Sequence, residues 1–208
     1  MKKKYIFWDF NGTILDDARL CYNILIEMLI EEKQNVVTFY EYLKIFTFPI
    51  KDYYAKVFDF NKTPFEVLAH RFIKRYQPES LSCELHEGIV DTIRYYEQMG
   101  YVNILLSASE EKNLFEQLEH FNIRHLFTHV LGTKNIYAKT KLDVAKKFIE
   151  DYHIHKDEMV MIGDTLHDAE IAHEIGCDII IFTKGHQHPS RFLNYQTIDS
   201  YQALKALI

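Results

Sequence analysis

Short apolar runs alternate with segments of helical period along most of this 208-residue chain, and that alternation limits the fold more than any other feature. Residues 5–8, 102–106, 129–131, 159–162 and 178–182 read as strands. Residues 88–99, 110–120, 141–151, 167–175 and 200–207 read as helices, with Ile89, Ile93 and Tyr96 on one face of the first and Leu142, Ala145, Phe148 and Ile149 on one face of the third. Gly100 and Gly176 stop two of these helices. Strand and helix in alternation imply an α/β fold, a doubly wound parallel sheet covered on both faces. Ligands of such Rossmann-like cores bind at the carboxyl ends of the strands, near the topological switch point.

One segment breaks the alternation. No glycine separates Gly12 from Gly88. Leu20, Ile24, Leu25, Met28 and Leu29 recur at helical spacing, as do Phe65, Leu68, Phe72 and Ile73. Thr63-Pro64 has the form of a cap and a first helical residue, and Pro49, Pro64 and Pro78 fall where turns are expected. The expected organisation is a core domain of residues 1–15 and 86–208 with a small helical cap, residues 16–85, inserted after the first strand. The cap aromatics Phe46, Phe48, Tyr53, Tyr54, Phe58 and Phe60 are expected to form its core, with one or two facing the cleft.

Composition removes several classes of function. Apolar residues make up 48% and charged residues 26%, which excludes disorder as a whole-chain description. A net charge of −6 gives no basic footprint for nucleic acid. Asp9 cuts the apolar run 5–8 too early for a signal peptide, and no stretch approaches the ~18 apolar residues of a membrane span. Cys21, Cys83 and Cys177 are odd in number and widely spaced, so neither a disulfide framework nor a zinc spacing is present. The expectation is a reduced, cytoplasmic protein whose cysteines pack in the interior. Nothing in the chain fixes an oligomeric state.

Polar groups cluster where three strands end: Asp9-Phe10-Asn11-Gly12-Thr13 after the first, Ser107 after the second, and Gly163-Asp164-Thr165-Leu166-His167-Asp168 after the fourth. A parallel sheet brings these ends to one rim. Carboxylates meeting there repel unless a cation lies between them. Oxygen donors suit a hard ion such as magnesium, Mg2+, which also accepts a substrate phosphate.

Taken in order, these features and a lysine ahead of a helix resemble the four motifs of the haloacid dehalogenase superfamily. The resemblance spans nearly the whole chain, and the helical insert lies where that family carries its smaller cap. Residues 163–187 further resemble the phosphoglycolate-phosphatase-like branch. The resemblance implies a magnesium-dependent phosphatase acting on a small phosphorylated metabolite through an aspartyl-phosphate. Asp9 would be the nucleophile. Asp9, Asp164 and the Asn11 carbonyl would hold the metal, with Asp168 orienting Asp164 or a metal-bound water. Ser107 and Lys141, with Gly12 and Thr13, would hold the phosphoryl group. Lys139 competes with Lys141 for the third motif, and Lys134 is a more distant candidate. Ser109 competes with Ser107 but also suits a helix cap.

One position departs from the family pattern. A second Asp normally follows the nucleophile by two residues, as general acid and base; here that residue is Asn11. An amide does not transfer a proton at neutral pH, and general acid–base help is worth about 10²–10⁴-fold. Slow turnover, dependence on good leaving groups, or a substitute group is therefore expected. Asp16, Asp17 and a cap residue are candidates, including the cap lysines Lys33, Lys44, Lys51 and Lys56. The alternative is a regulatory protein that binds magnesium and phosphate with little turnover. Asn11-Gly12 is also a deamidation-prone dipeptide. The histidine pairs His153/His155 and His186/His188 are expected at the surface or in loops, while His167 lies inside the fourth motif.

Overall fold

β1 (Tyr5–Trp8) is the central strand of the sheet, because its side chains are apolar on both faces and all but Tyr5 are buried. In this computed structural model, which describes residues 3–133 and 140–208, β1 lies between two parallel neighbours. Trp8 aligns with Leu105 of β4 (Val102–Glu110) on one side and with Ile162 of β6 (Met159–Gly163) on the other. β5 (His129–Thr133) extends the sheet beyond β4, and β7 (Asp178–Phe182) and β8 (Gln196–Ile198) extend it beyond β6. The order β5-β4-β1-β6-β7-β8, parallel throughout, is that of a doubly wound sheet whose halves diverge at β1.

The period-two alternation of the strands divides the core. Ile6, Trp8, Leu105, Val160 and Ile162 face α5 (Ile89–Gln98), α6 (Glu111–His120) and α9 (Tyr201–Leu204). Phe7, Ile104, Leu106, Met159 and Met161 face α7 (Lys141–Asp151) and α8 (Leu166–Ile175).

Between β1 and α5 the chain forms α1 (Ala18–Glu31), α2 (Phe39–Ile45), α3 (Ile50–Tyr54) and α4 (Phe65–Ser80). They enclose a separate core that includes Leu25, Met28, Tyr42, Phe46, Tyr53, Tyr54, Phe58 and Leu68. The base of the insert is not helical. β2 (Leu15–Asp16) pairs antiparallel with β3 (Glu84–Leu85), tying the two crossings of the chain together.

Several local expectations change. Pro78 lies inside α4, in its last turn, instead of breaking it. Pro64 is the cap residue, and the Thr63 hydroxyl donates to Glu32 across the bundle, so Thr63 caps nothing. β8 had no apolar run to announce it, since Gln196 and Thr197 are exposed at the sheet edge.

Candidate active site

β1, β4 and β6 deliver Asp9, Ser107 and Asp164 to the same rim, and α7 and α8 deliver Lys141 and Asp168. Two capping boxes fix the helix-borne pair. Thr140 caps α7 with Asp143, which puts Lys141 in the first turn. Thr165 caps α8 with Asp168, whose Oδ2 accepts from the Thr165 amide (3.1 Å) and hydroxyl (2.7 Å). The other Asp168 oxygen accepts from Lys141 Nζ at 2.6 Å, and the same ammonium donates to Asp9 Oδ1. Thr13 Oγ1 donates to Asp164 Oδ1 (3.2 Å), and the His186 amide donates to Asp164 Oδ2 (2.7 Å).

Asp9, Asp164 and Asp168 are all buried, and each offers an oxygen within 4.8 Å of the others. Burial pushes the Asp9 carboxyl up to about 8, against the pull of Lys141 and with the carboxylates of Asp168 and Asp164 adding to the rise. Burial likewise pushes Asp164 up to about 7, opposed by His186. Asp168 is held below the usual range despite its burial, because Lys141 lies against it. Three carboxylates facing one ammonium leave an excess of negative charge. An oxygen-only donor set with that excess fits a hard divalent cation.

Glycine makes this crowding possible. Gly12 has φ +70°, and a Cβ there would collide with Asp164 and His186. A Cβ at Gly185 would collide with the same carboxylate.

A second buried network adjoins the first. Asp17 Oδ1 accepts from the Gly12 amide (2.7 Å) and from His186 Nε2 (3.0 Å). Its Oδ2 accepts from Asn11 Nδ2 (2.9 Å) and from the Tyr76 hydroxyl (2.6 Å). His186 Nδ1 bonds the Tyr42 hydroxyl at 2.9 Å, and the ring stacks on Phe46 with centroids 4.8 Å apart. Burial opposes the charge on His186, but Asp17 and Asp164 overcome it and raise the imidazole to about 9. Asp17 is correspondingly held low: burial works against it, and His186, Tyr76 and Asn11 prevail. The loop after β7 carries further ties to the insert. Gln187 Nε2 donates to the Phe46 carbonyl (2.9 Å) and the His188 amide to the Leu43 carbonyl (3.0 Å).

The rim therefore gathers Asp9, Lys141, Asp164 and Asp168, with Thr13 bracing Asp164. The Gly12 amide is already engaged by Asp17. Ser107 is buried at the end of the regular part of β4, where its Oγ accepts from the Ser109 amide (3.1 Å). Lys134 and Lys139 lie outside the described residues. Ser109 is not a helix cap; its hydroxyl donates to Asn11 Oδ1 (3.1 Å), and Glu110 occupies the cap position of α6. His186 lies in the loop after β7, as expected, but is buried there at 4% exposure, while His188 is half-buried. His167 is half-buried and stacks on Phe48. Of the six insert aromatics named from the sequence, Phe46 and Phe48 are thus stacked on histidines beside the rim, where Tyr42 and Tyr76 also reach through their hydroxyls. Lys44 lies over Tyr40, Lys51 over Phe65, and Lys56 reaches the Ile45 carbonyl. Cys21 and Cys177 are buried and Cys83 is partly so.

The family model for haloacid dehalogenase-like hydrolases matches residues 6–182, and the chain belongs to that family. Over 105 residues it is 29% identical to a phosphoglycolate phosphatase of Aliivibrio fischeri, and over 111 residues 25% identical to one of Vibrio cholerae. These alignments take in 50% and 53% of this chain and 46% and 49% of the relatives, so the chain spans about half the length of the curated relatives it matches. Among solved structures, a haloacid dehalogenase-like hydrolase from Streptococcus pneumoniae superposes with TM-score 0.81 at 18% identity, covering 99% of this chain and 98% of that one. CbbY from Rhodobacter sphaeroides, in complex with phosphate, gives TM-score 0.74 at 16% identity over 97% and 96% of the two chains. Among the described residues, no helix is long and apolar enough to cross a membrane.

Proposed function

We propose that this chain is a magnesium-dependent phosphatase that hydrolyses a small phosphate monoester through an aspartyl-phosphate on Asp9. The observation that carries the reading is the buried rim of Asp9, Asp164 and Asp168, with Lys141 bonded to Asp9 and Asp168. Asp9, Asp164 and the Asn11 carbonyl would hold Mg2+, which when bound offsets negative charge on the carboxylates and the phosphoryl group.

Asp9 must be ionised to attack, and burial alone opposes this. Lys141 favours the carboxylate and lies where phosphoryl oxygens would meet it. Asp168, anchored through Thr165, aims Lys141. Attack by an Asp9 oxygen forms a new P–O bond as the ester P–O bond breaks. Water then attacks phosphorus, the bond to Asp9 breaks, and free phosphate leaves. Asn11 supplies no proton to the departing alkoxide, so the reaction favours esters whose leaving groups need none. The helical insert, residues 16–85, would act as a cap that excludes water while Asp9 is phosphorylated. The names of the curated relatives and the family membership support this class of substrate, and a cytoplasmic setting is part of the same proposal.

The test is hydrolysis of aryl and alkyl phosphates, phosphoglycolate included, with and without Mg2+. Wild type is expected to turn over aryl esters fastest, and Asp9→Asn to lose roughly 10³-fold or more. Equal turnover by Asp9→Asn would end the proposal.

A further inference from the structure

Asn11 looks like a catalytic carboxylate that has been lost. Its surroundings describe something else. Asn11 Nδ2 donates to Asp17 Oδ2 (2.9 Å) and to the Tyr76 hydroxyl (2.5 Å), and Asn11 Oδ1 accepts from Ser109 Oγ (3.1 Å). Tyr76 accepts from Asn11 and passes its own proton to Asp17 Oδ2. Asp17 Oδ1 meets two donors, the Gly12 amide and His186 Nε2. Every donor therefore faces an acceptor, and an amide at one position with an ionised carboxylate at the other closes the pattern without a further proton.

We propose that Asn11 and Asp17 are a matched carboxamide–carboxylate pair, through which Asp17 and Tyr76 position Asn11 and clamp the helical insert onto the rim beside Asp9. Asp17 stands at the start of α1 and Tyr76 on α4, while Asn11 follows β1 and Ser109 lies in β4. The pair thus joins the insert to the core at a point two residues from Asp9.

Donor–acceptor parity makes this testable. Asn11→Asp alone sets two carboxylates face to face with only the Tyr76 proton between them. Asp17→Asn alone turns an NH2 group either toward Asn11 Nδ2 or toward the Gly12 amide, and both are donors. The double exchange, Asn11→Asp with Asp17→Asn, restores the donor–acceptor pattern with roles reversed, and loses only the negative charge that Asp17 sets against His186. The new amide donates to the new carboxylate and to Tyr76, its oxygen keeps the Gly12 and His186 donors, and the Tyr76 proton turns to position 11. Ser109 donates as before.

Melting temperatures of the full chain are measured in chelator for wild type, both single variants and the double. Each single is expected to melt roughly 5 °C or more below wild type, and the double above the Asp17→Asn single, short of wild type only by the charge lost opposite His186. Losses that add in the double overturn the proposal, as does a single Asn11→Asp as stable as wild type. If a single variant does not fold, recovery of folded protein in the double is the rescue, and an unfolded double overturns the proposal. A second arm rests on the phosphatase reading. With Mg2+ and p-nitrophenyl phosphate, Asn11→Asp is expected to lose about tenfold in kcat and the double to lose less than that single; a double as slow as Asn11→Asp, or a gain in Asn11→Asp alone, overturns the proposal. Absence of hydrolysis in all four proteins would count against the phosphatase reading alone, because the melting cycle needs no substrate.

Discussion

Two buried charged networks lie side by side on this rim, and their charge balance differs. Around Lys141, the ammonium bonds Asp9 and Asp168, and Asp164 gathers with these two carboxylates, so among the described residues three carboxylates meet one lysine. Around His186, the imidazolium ring hydrogen-bonds one carboxylate, Asp17, with Asp164 nearby, and Tyr42, Tyr76 and Asn11 complete the donor–acceptor pattern. The first arrangement is stable only if protons or a cation offset the excess. The second is balanced as it stands. An unbalanced buried cluster is therefore where chemistry is expected, and a balanced one acts as a fastening, although both consist of charged side chains hidden from water.

The largest effect that would break this comparison is removal of the lysine that, among the described residues, faces the unbalanced cluster. Lys141→Met leaves Asp9, Asp164 and Asp168 facing one another and should cost about 3–5 kcal/mol in chelator. Denaturant unfolding measures it, and a loss under about 1 kcal/mol would show that the carboxylates are relieved some other way.

Next comes the response to magnesium. The Asp9 and Asp164 pKa values, raised to about 8 and 7 in the folded chain, mean that folding holds protons that the unfolded chain releases near 4. That contribution is full at low pH and is lost as pH rises through 7 to 8. Mg2+ competes with those protons. Its stabilisation, about 2.7 kcal/mol at a hundredfold excess over Kd, should be greater at pH 8 than at pH 6. Thermal melts with and without Mg2+ at both values decide this, and a larger shift at pH 6 would contradict the assignment.

His186→Gln sharpens the other side. It should cost roughly 2 kcal/mol near pH 7, from the lost charged bond to Asp17. His186 faces Asp17, Tyr42, Asp164 and Asp9, and its folded value is raised to about 9. The stability it adds is full below about 6.5 and disappears as pH rises through about 9. The gap between wild type and variant should close over that window in melts taken with Mg2+. The smallest effect concerns Asn11-Gly12. The Gly12 nitrogen, which would have to attack the Asn11 amide, is held by Asp17 Oδ1 and the Leu15 carbonyl. Peptide mapping of stored protein should find Asn at position 11, and accumulation of Asp there would mean the clamp opens.

The unbalanced cluster was legible in the sequence and the balanced one was not, for a physical reason. Asp9, Ser107 and Asp164 each follow an apolar run whose strand identity is plain, so one topological rule brings them together. Lys141 and Asp168 sit in capping boxes with their own local signature. His186 comes from an irregular loop with no period, and Tyr76 from a helix where an aromatic reads as packing. Ser109 resembles a cap until the start of α6 is known. Asp17 was marked only as a possible stand-in for the missing acid. The pairing of β2 with β3 and the edge strand β8 escaped because two or three half-exposed residues carry no alternation to detect. Motifs report residues that meet through regular elements; the clamp is built from loops and helix faces, where only packing decides.

The most direct test of the central claim is mass spectrometry of the acid-quenched protein after brief exposure to a phosphate ester and Mg2+. The account predicts one phosphoryl group on the peptide that contains Asp9, and none in Asp9→Asn. Turnover with Asp9 unmodified and the phosphoryl group on another residue would contradict it.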